Sequence, residues 1–269
     1  MFFYKSKIAK TVTGFLLALA CFLCASCMKA ESHRANSSNT TAQTHKPAIP
    51  VVDTRPRVAL TFDDGPSSIT TKPIVDELDK YGYHATFFVV GNRVRKTLGE
   101  DYGGEAMVYA AEHGNEIGIH GYTHKANYAS CSEETYQYEV LETLAAIREK
   151  IPGYEVRVMR PIGGSISGTR VAECQFAVVN WNVDTLDWEL RSPAGDAECI
   201  ETIVNNALKN IEDGDIILMH DIYNNTYEAT AIILQRLNEM GFNVVTVSEL
   251  LGDDLQAGVR YTHGNKRAQ

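Results

Sequence analysis

Cysteine is scarce in this 269-residue chain, with six in all, and Cys21, Cys24 and Cys27 lie in an N-terminal apolar stretch. Cys131, Cys174 and Cys199 remain for the folded part, an odd number whose spacing matches neither a disulfide framework nor a zinc motif. A cystine-stapled scaffold is therefore excluded. Two readings stay open: all three cysteines pack as small apolar residues, or one bridge forms beside a free thiol. Basic residues are also in deficit, since the formal net charge is −9, and −12 once Lys5, Lys7 and Lys10 leave with residues 1–27. That balance excludes nucleic acid as a partner and disfavours capture of an anionic polymer by broad attraction, although a neutral cleft can still take one glycan strand. No internal repeat is visible. The apolar run Val12 to Ala25 falls short of the roughly 20 residues of a comfortable membrane span.

A basic segment followed by that short run reads as an export signal over residues 1–27. The sequence Leu23-Cys24-Ala25-Ser26-Cys27 resembles a bacterial lipoprotein signal cut before Cys27, which would then carry lipid and attach the chain to a membrane through its N-terminus. Cys24 stands where such a box prefers an aliphatic residue, so an uncleaved anchor and ordinary secretion stay open beside lipidation. Residues 28–56, rich in Ser, Thr, Asn, Gln and Pro and poor in large apolar side chains, read as a flexible linker. The domain is expected over 57–252, with 253–269 a polar tail without a motif.

Across 57–252, short apolar runs alternate with longer amphipathic ones, the pattern of an α/β domain. Strands are predicted at Val58 to Phe62, Ala85 to Val90, Glu116 to Ile119, Val156 to Met159, Ala177 to Asn182, Ile216 to Met219 and Asn243 to Val247. Helices are predicted at Lys72 to Tyr81, Glu105 to His113, Ser132 to Lys150 with Ser132 as N-cap, Glu198 to Lys209 and Tyr227 to Met240. Roughly seven strand-helix units predict a single catalytic domain built as a distorted (β/α)7-type parallel barrel, closed or nearly so.

Residues with chemistry gather just after the predicted strands: Asp63 and Asp64, His120, Arg160, Asp184 to Trp188, and His220. Singly each has a plain reading, the Asp pair as a turn, His220 as a structural histidine, Arg160 as a surface ion-pair residue. Their shared position points instead to one site at the barrel mouth. His120 and His124, four residues apart, are read as one helical turn presenting both imidazoles to the same side. A carboxylate as third ligand would complete a hydrolytic metal centre with a position open to water. Asp63 and Asp64, being neighbours at a strand end, point apart, so one can bind metal while the other takes a proton.

In this order the segments Thr61-Phe62-Asp63-Asp64-Gly65-Pro66, His120 to His124, Arg160-Pro161-Ile162-Gly163-Gly164, Asp184-Thr185-Leu186-Asp187-Trp188 and Leu218-Met219-His220 resemble the motifs of polysaccharide deacetylases of the nodulation-protein type, carbohydrate esterase family four. The resemblance spans about Arg57 to Leu251. It implies a divalent metal on Asp64, His120 and His124, zinc foremost, with cobalt, nickel or manganese as alternatives. It further implies Asp63 as general base oriented by Arg160, and His220 as general acid held by Asp187. The backbone N–H near Gly163 becomes the oxyanion donor, and Trp188 and Leu218 wall the pocket for the acetyl methyl. The implied activity is removal of N-acetyl groups from N-acetylglucosamine of a cell-wall or surface polysaccharide, peptidoglycan first, by an exported protein acting outside the cytoplasm. Deacetylation of chitin oligomers, a muramic unit, an exopolysaccharide or acetyl-xylan, and a silent glycan-binding domain, are the alternatives. The chain departs from the family at Gly121, where Ser or Thr would steady the metal loop, and at Ile162-Gly163, where Pro and an aromatic would wall the groove.

Overall fold

The computed structural model describes residues 53–96, 103–190, 192–264 and 266–267. The expected export signal with Cys27, and most of the expected linker, lie outside the described residues.

Strand β1 (Arg57–Asp63) sets the pattern on which the molecule is built. Its side chains alternate, Val58, Leu60 and Phe62 joining the larger apolar cluster and Ala59 the smaller one, while Thr61 and Asp63 both meet Arg160. The same two-residue period runs through β2 (Thr86–Val89), β3 (Glu116–Ile119), β4 (Val158–Met159), β5 (Ala177–Val179) and β7 (Ile216–His220). Phe88, Val158, Ala177, Val179 and Ile216 fill the inside of the curled sheet; Phe87, Ile117, Met159, Val178 and Ile217 pack outward. Gly118 has no room for a side chain there, because a Cβ would lie 2.6 Å from the Phe88 ring.

Outside the sheet run α1 (Thr71–Asp79), α2 (Gly91–Arg95), α3 (Gly104–Glu112), α4 (Glu133–Lys150), α5 (Gly168–Glu173), α6 (Ala197–Leu208) and α7 (Asn224–Glu239). Helix α1 buries Ile74, Val75 and Leu78, and α7 buries Ala229, Ile233, Leu234 and Leu237, the spacing of one helical face. Ser132 caps α4, its hydroxyl accepting from Thr135 N at 3.1 Å, as expected. With β6 (Val183–Asp184), β8 (Asn243–Val244), β9 (Arg260–His263) and β10 (Lys266–Arg267), the sheet order is β10-β9-β5-β4-β3-β2-β1-β7-β6, with β8 against β1. All pairings are parallel except β9 with β10. The result is a curled parallel sheet with helices on its outer face, as expected for a distorted (β/α)7 barrel.

Two expectations are corrected, and one left open is decided. The last predicted strand stops at Val244, because Thr246 and Glu249 form a reciprocal capping box that starts α8 (Val247–Leu251). The polar tail is not all tail: β9 pairs in parallel with β5 and buries Tyr261, while His263 bridges to Asp215 just before β7. Alternation of one buried aromatic among polar residues, too short to register as a strand, hid this element. The cysteines resolve to packing, since Cys131, Cys174 and Cys199 are all free, with Cys174 Sγ 3.2 Å from Met159 Sδ.

Candidate active site

Because the strands are parallel and in register, their C-terminal ends bring the motif residues to one end of the sheet. Asp63 and His220 are direct register partners at the ends of β1 and β7. His120 follows β3 and Arg160 follows β4, each with its backbone N–H carried on the neighbouring ladder. A cavity of about 420 Å³ there is lined by Asp63, Asp64, His120, His124, Gly163, Trp181, Asp184, Trp188, Leu218, His220 and Tyr223. Asp187 stands behind His220, and Arg160 lies beneath Asp63, fully buried rather than on the surface.

Asp64, His120 and His124 converge: one ligand atom from each lies within 4.8 Å of the others. Asp64 sits at φ 71 and His124 at φ 59, so both ends of this triad are left-handed backbone held by the fold. Asp64 Oδ1 is 2.8 Å from His124 Nε2 and 3.4 Å from His120 Nε2, yet it is a buried oxygen without a hydrogen-bond partner. His120 Nδ1 lies 2.9 Å from the Arg160 carbonyl, which can only accept, so Nδ1 carries the proton and Nε2 turns a lone pair toward Asp64. Lone pairs facing a carboxylate fit a cation between them. The electrostatics agree: burial works against an anionic Asp64, but His120 and His124 outweigh it and hold the carboxyl well below the usual range. Burial likewise opposes charge on His120, and Asp63 with Asp64 reverses it and raises the imidazole, drawing to Nε2 a positive charge that a bound cation would replace. The residues thus fit a divalent metal.

The two histidines do not share a helical turn. Gly121 adopts φ 102, outside the helical region, and residues 120–124 form a loop. Glu139 of α4, buried, holds it: Oε2 accepts from Tyr122 N (2.6 Å) and Thr123 N (2.7 Å), and Oε1 accepts from the Thr123 hydroxyl. Gly91 N and Asn92 N donate to the carbonyls of Gly121 and Tyr122. The missing Ser or Thr after His120 is therefore compensated from α4. A Cβ at residue 121 would also meet the Tyr128 hydroxyl at 2.5 Å.

Arg160 donates four hydrogen bonds. Nη1 donates to Thr61 Oγ1 and Asp63 Oδ1, both at 2.8 Å, Nε to the Val179 carbonyl and Nη2 to the Asn180 carbonyl, both at 3.0 Å. Its face lies 4.3 Å from the Phe88 ring centre. Burial lowers its pKa, with Asp63 opposing, and an arginine remains charged throughout the working range. Across the cavity, Asp187 Oδ1 is 2.8 Å from His220 Nδ1, and Oδ2 accepts from His220 N (2.8 Å) and Thr226 Oγ1 (2.7 Å). Burial pulls the His220 pKa down, but Asp187 more than reverses this and raises it to about 9. Gly163 sits at φ 58 in a short turn over Ile162–Gly164; Leu218 is buried and Trp188 40% exposed at the rim.

Sequence reasoning missed Glu139, Thr61, Thr226, Trp181, Tyr223 and Asp221. Two carried a signal: Thr61 is two residues before Asp63 on one strand face, and Glu139 is an acid on the buried face of α4, beside Tyr136, Val140 and Thr143.

This constellation defines a candidate metal centre at the mouth of a curled parallel barrel, and the chain belongs to the polysaccharide deacetylase family. Residues 51–179 match that family's profile, described as Polysaccharide deacetylase. The peptidoglycan-N-acetylglucosamine deacetylase PgdA of Listeria monocytogenes is 34% identical over 215 residues, 80% of this chain and 43% of that protein. A peptidoglycan-N-acetylglucosamine deacetylase of Bacillus cereus is 34% identical over 203 residues, 72% of this chain and 87% of that one. A family 4 acetyl xylan esterase from Clostridium thermocellum, solved in complex with a cobalt ion, is 28% identical at a TM-score of 0.67, covering 78% of this chain and all of that one. The chain thus spans less than half the length of the Listeria relative it matches.

Proposed function

We propose that this protein is a metal-dependent hydrolase that removes N-acetyl groups from N-acetylglucosamine residues of a cell-wall polysaccharide, peptidoglycan first, outside the cytoplasm. The observation that carries the reading is a cavity in which an orphaned carboxylate oxygen and two imidazole nitrogens stand between an Arg-held carboxylate and a His-Asp dyad.

A divalent cation on Asp64, His120 and His124 would supply Lewis acidity to the acetamide carbonyl and to water beside it. Two imidazoles and a carboxylate are a borderline donor set suited to zinc, and cobalt is the ion in the Clostridium relative. Asp63 commits Oδ1 to Arg160 and keeps Oδ2, 3.5 Å from His120 Nε2, to take the proton of the attacking water. The Gly163 backbone N–H donates to the oxygen on which negative charge develops. His220, protonated at neutral pH and held through Nδ1, gives its Nε2 proton to the departing amine, which leaves poorly as an anion. Leu218 and Trp188 wall the place of the acetyl methyl, restricting the acyl group to a short one.

The names of the Listeria and Bacillus relatives support N-acetylglucosamine of peptidoglycan as the substrate. Among the described residues no helix is long and apolar enough to cross a membrane; attachment through lipid on Cys27 is tested by metabolic lipid labelling of wild type and Cys27→Ser. The activity is tested by acetate release and product mass spectrometry on peptidoglycan fragments, N-acetylglucosamine oligomers and acetyl-xylan with added zinc or cobalt. Loss of one acetyl from N-acetylglucosamine, abolished by chelator and restored by metal, is the expected result. Metal-independent release, or none with any metal, overturns the proposal.

A further inference from the structure

We propose that Asp221 is a positioning residue that locks the loop carrying Asp64 to the strand end carrying His220. The parallel ladder between β1 and β7 ends at the Asp63–His220 pair. Beyond it Asp64 turns to φ 71, and ladder pairing no longer fixes the metal-binding carboxylate relative to the acid. Asp221, the next residue after His220 and 1% exposed, spans this gap. Its carbonyl accepts from the Thr70 hydroxyl and its Oδ2 from the Thr71 hydroxyl, and Thr71 Oγ1 in turn accepts from Ser67 N at 2.8 Å. The other carboxyl oxygen, Oδ1, is buried without a hydrogen-bond partner and presses on Gly65, where a Cβ would lie 2.2 Å from it. Gly65 has no left-handed φ that would demand glycine. Close approach of Asp221 is what requires it. On its far side the same residue is pinned by Val90 N, which donates to the Gly65 carbonyl at 2.7 Å. The residue directly after Asp64 is thus gripped between the end of β2 and the Asp221 carboxyl.

The rate arm of the test rests on the deacetylase reading; the cobalt arm does not. Asp221→Ala in the full chain should weaken cobalt binding, measured by calorimetry, about tenfold by relaxing Asp64, and should lower kcat at least tenfold with KM within twofold. Asp221→Asn, which keeps the shape and an acceptor for Thr71, should recover most of both losses. Gly65→Ala should cost at least tenfold in kcat alone but less than threefold in the Asp221→Ala background, the coupling expected of residues in contact. If Asp221→Ala does not fold, Thr71→Val should show the same cobalt and kcat losses in smaller measure. A lowered Tm with cobalt affinity and kcat unchanged, or Gly65→Ala equally damaging with and without Asp221, overturns the proposal. If wild type frees no acetate, the deacetylase reading falls while the cobalt titration still decides this one.

Discussion

Asp63 and His220 face each other at the same register level, but their environments give them opposite chemistry. Asp63 is buried with Oδ1 tied to the Arg160 guanidinium, which leaves Oδ2 as the oxygen proposed to accept a proton. Asp63→Asn should lower kcat about 10²- to 10⁴-fold while cobalt binding survives, read by acetate release and calorimetry on one sample. Arg160→Met leaves that carboxylate buried and unpaired, and should cost about 3–5 kcal/mol in denaturant unfolding as well as activity. His220 is the reverse case, an imidazole whose pKa is raised from 6.5 to about 9 by its partner. In the proposed role of general acid His220 must be protonated to act, so kcat/KM should hold up to about pH 9 and fall above it. Asp187→Asn should move that alkaline limb down toward 6.5, emptying the window between the two values. The linkage has the matching sign: the pair's stabilisation is fully present below the ordinary histidine value and is lost as pH rises through about 9.

At the level of elements, the metal loop depends on a helix that contributes no ligand. Helix α4 projects Glu139 from its buried face to accept from two backbone N–H groups and one hydroxyl of residues 122 and 123. An amide oxygen could still accept from both N–H groups, but its NH2 would have to donate to the Thr123 hydroxyl, reversing that bond, and the charge that strengthens all three is lost. Glu139→Gln should therefore weaken zinc or cobalt affinity about 10- to 100-fold with the α4 helix intact by circular dichroism. A loop that kept its affinity would show that Gly91 and Asn92, gripping the other side, suffice.

For the whole molecule, β9 decides how the described chain completes its sheet. It lies against β5, whose last residue, Val179, and the following Asn180 give their carbonyls to Arg160, and Asn180 N donates to the Tyr261 carbonyl. Strand β9 thus supports the arginine that holds Asp63. Tyr261→Ala should destabilise the protein by about 3–5 kcal/mol, measured by denaturant unfolding, and lower activity even where the protein remains folded. A silent tail would tolerate the change.

The sequence by itself determined where most of the site-bearing strands lie and that chemistry sits one step past them, because short apolar runs announce buried strands and parallel register does the rest. That is why Asp63, Asp64, His120, Arg160, Asp187 and His220 were legible as one set. It did not determine partners separated in sequence and joined only by packing: Glu139 to the His loop, Thr226 to Asp187, Asp221 to Gly65. Nor did the four-residue spacing of His120 and His124 reveal a loop, since a helix and a glycine turn at φ 102 present the same spacing. Only the tertiary structure decided these, because hydrogen bonds and close approaches depend on which neighbour the fold delivers, and spacing along the chain carries no record of it.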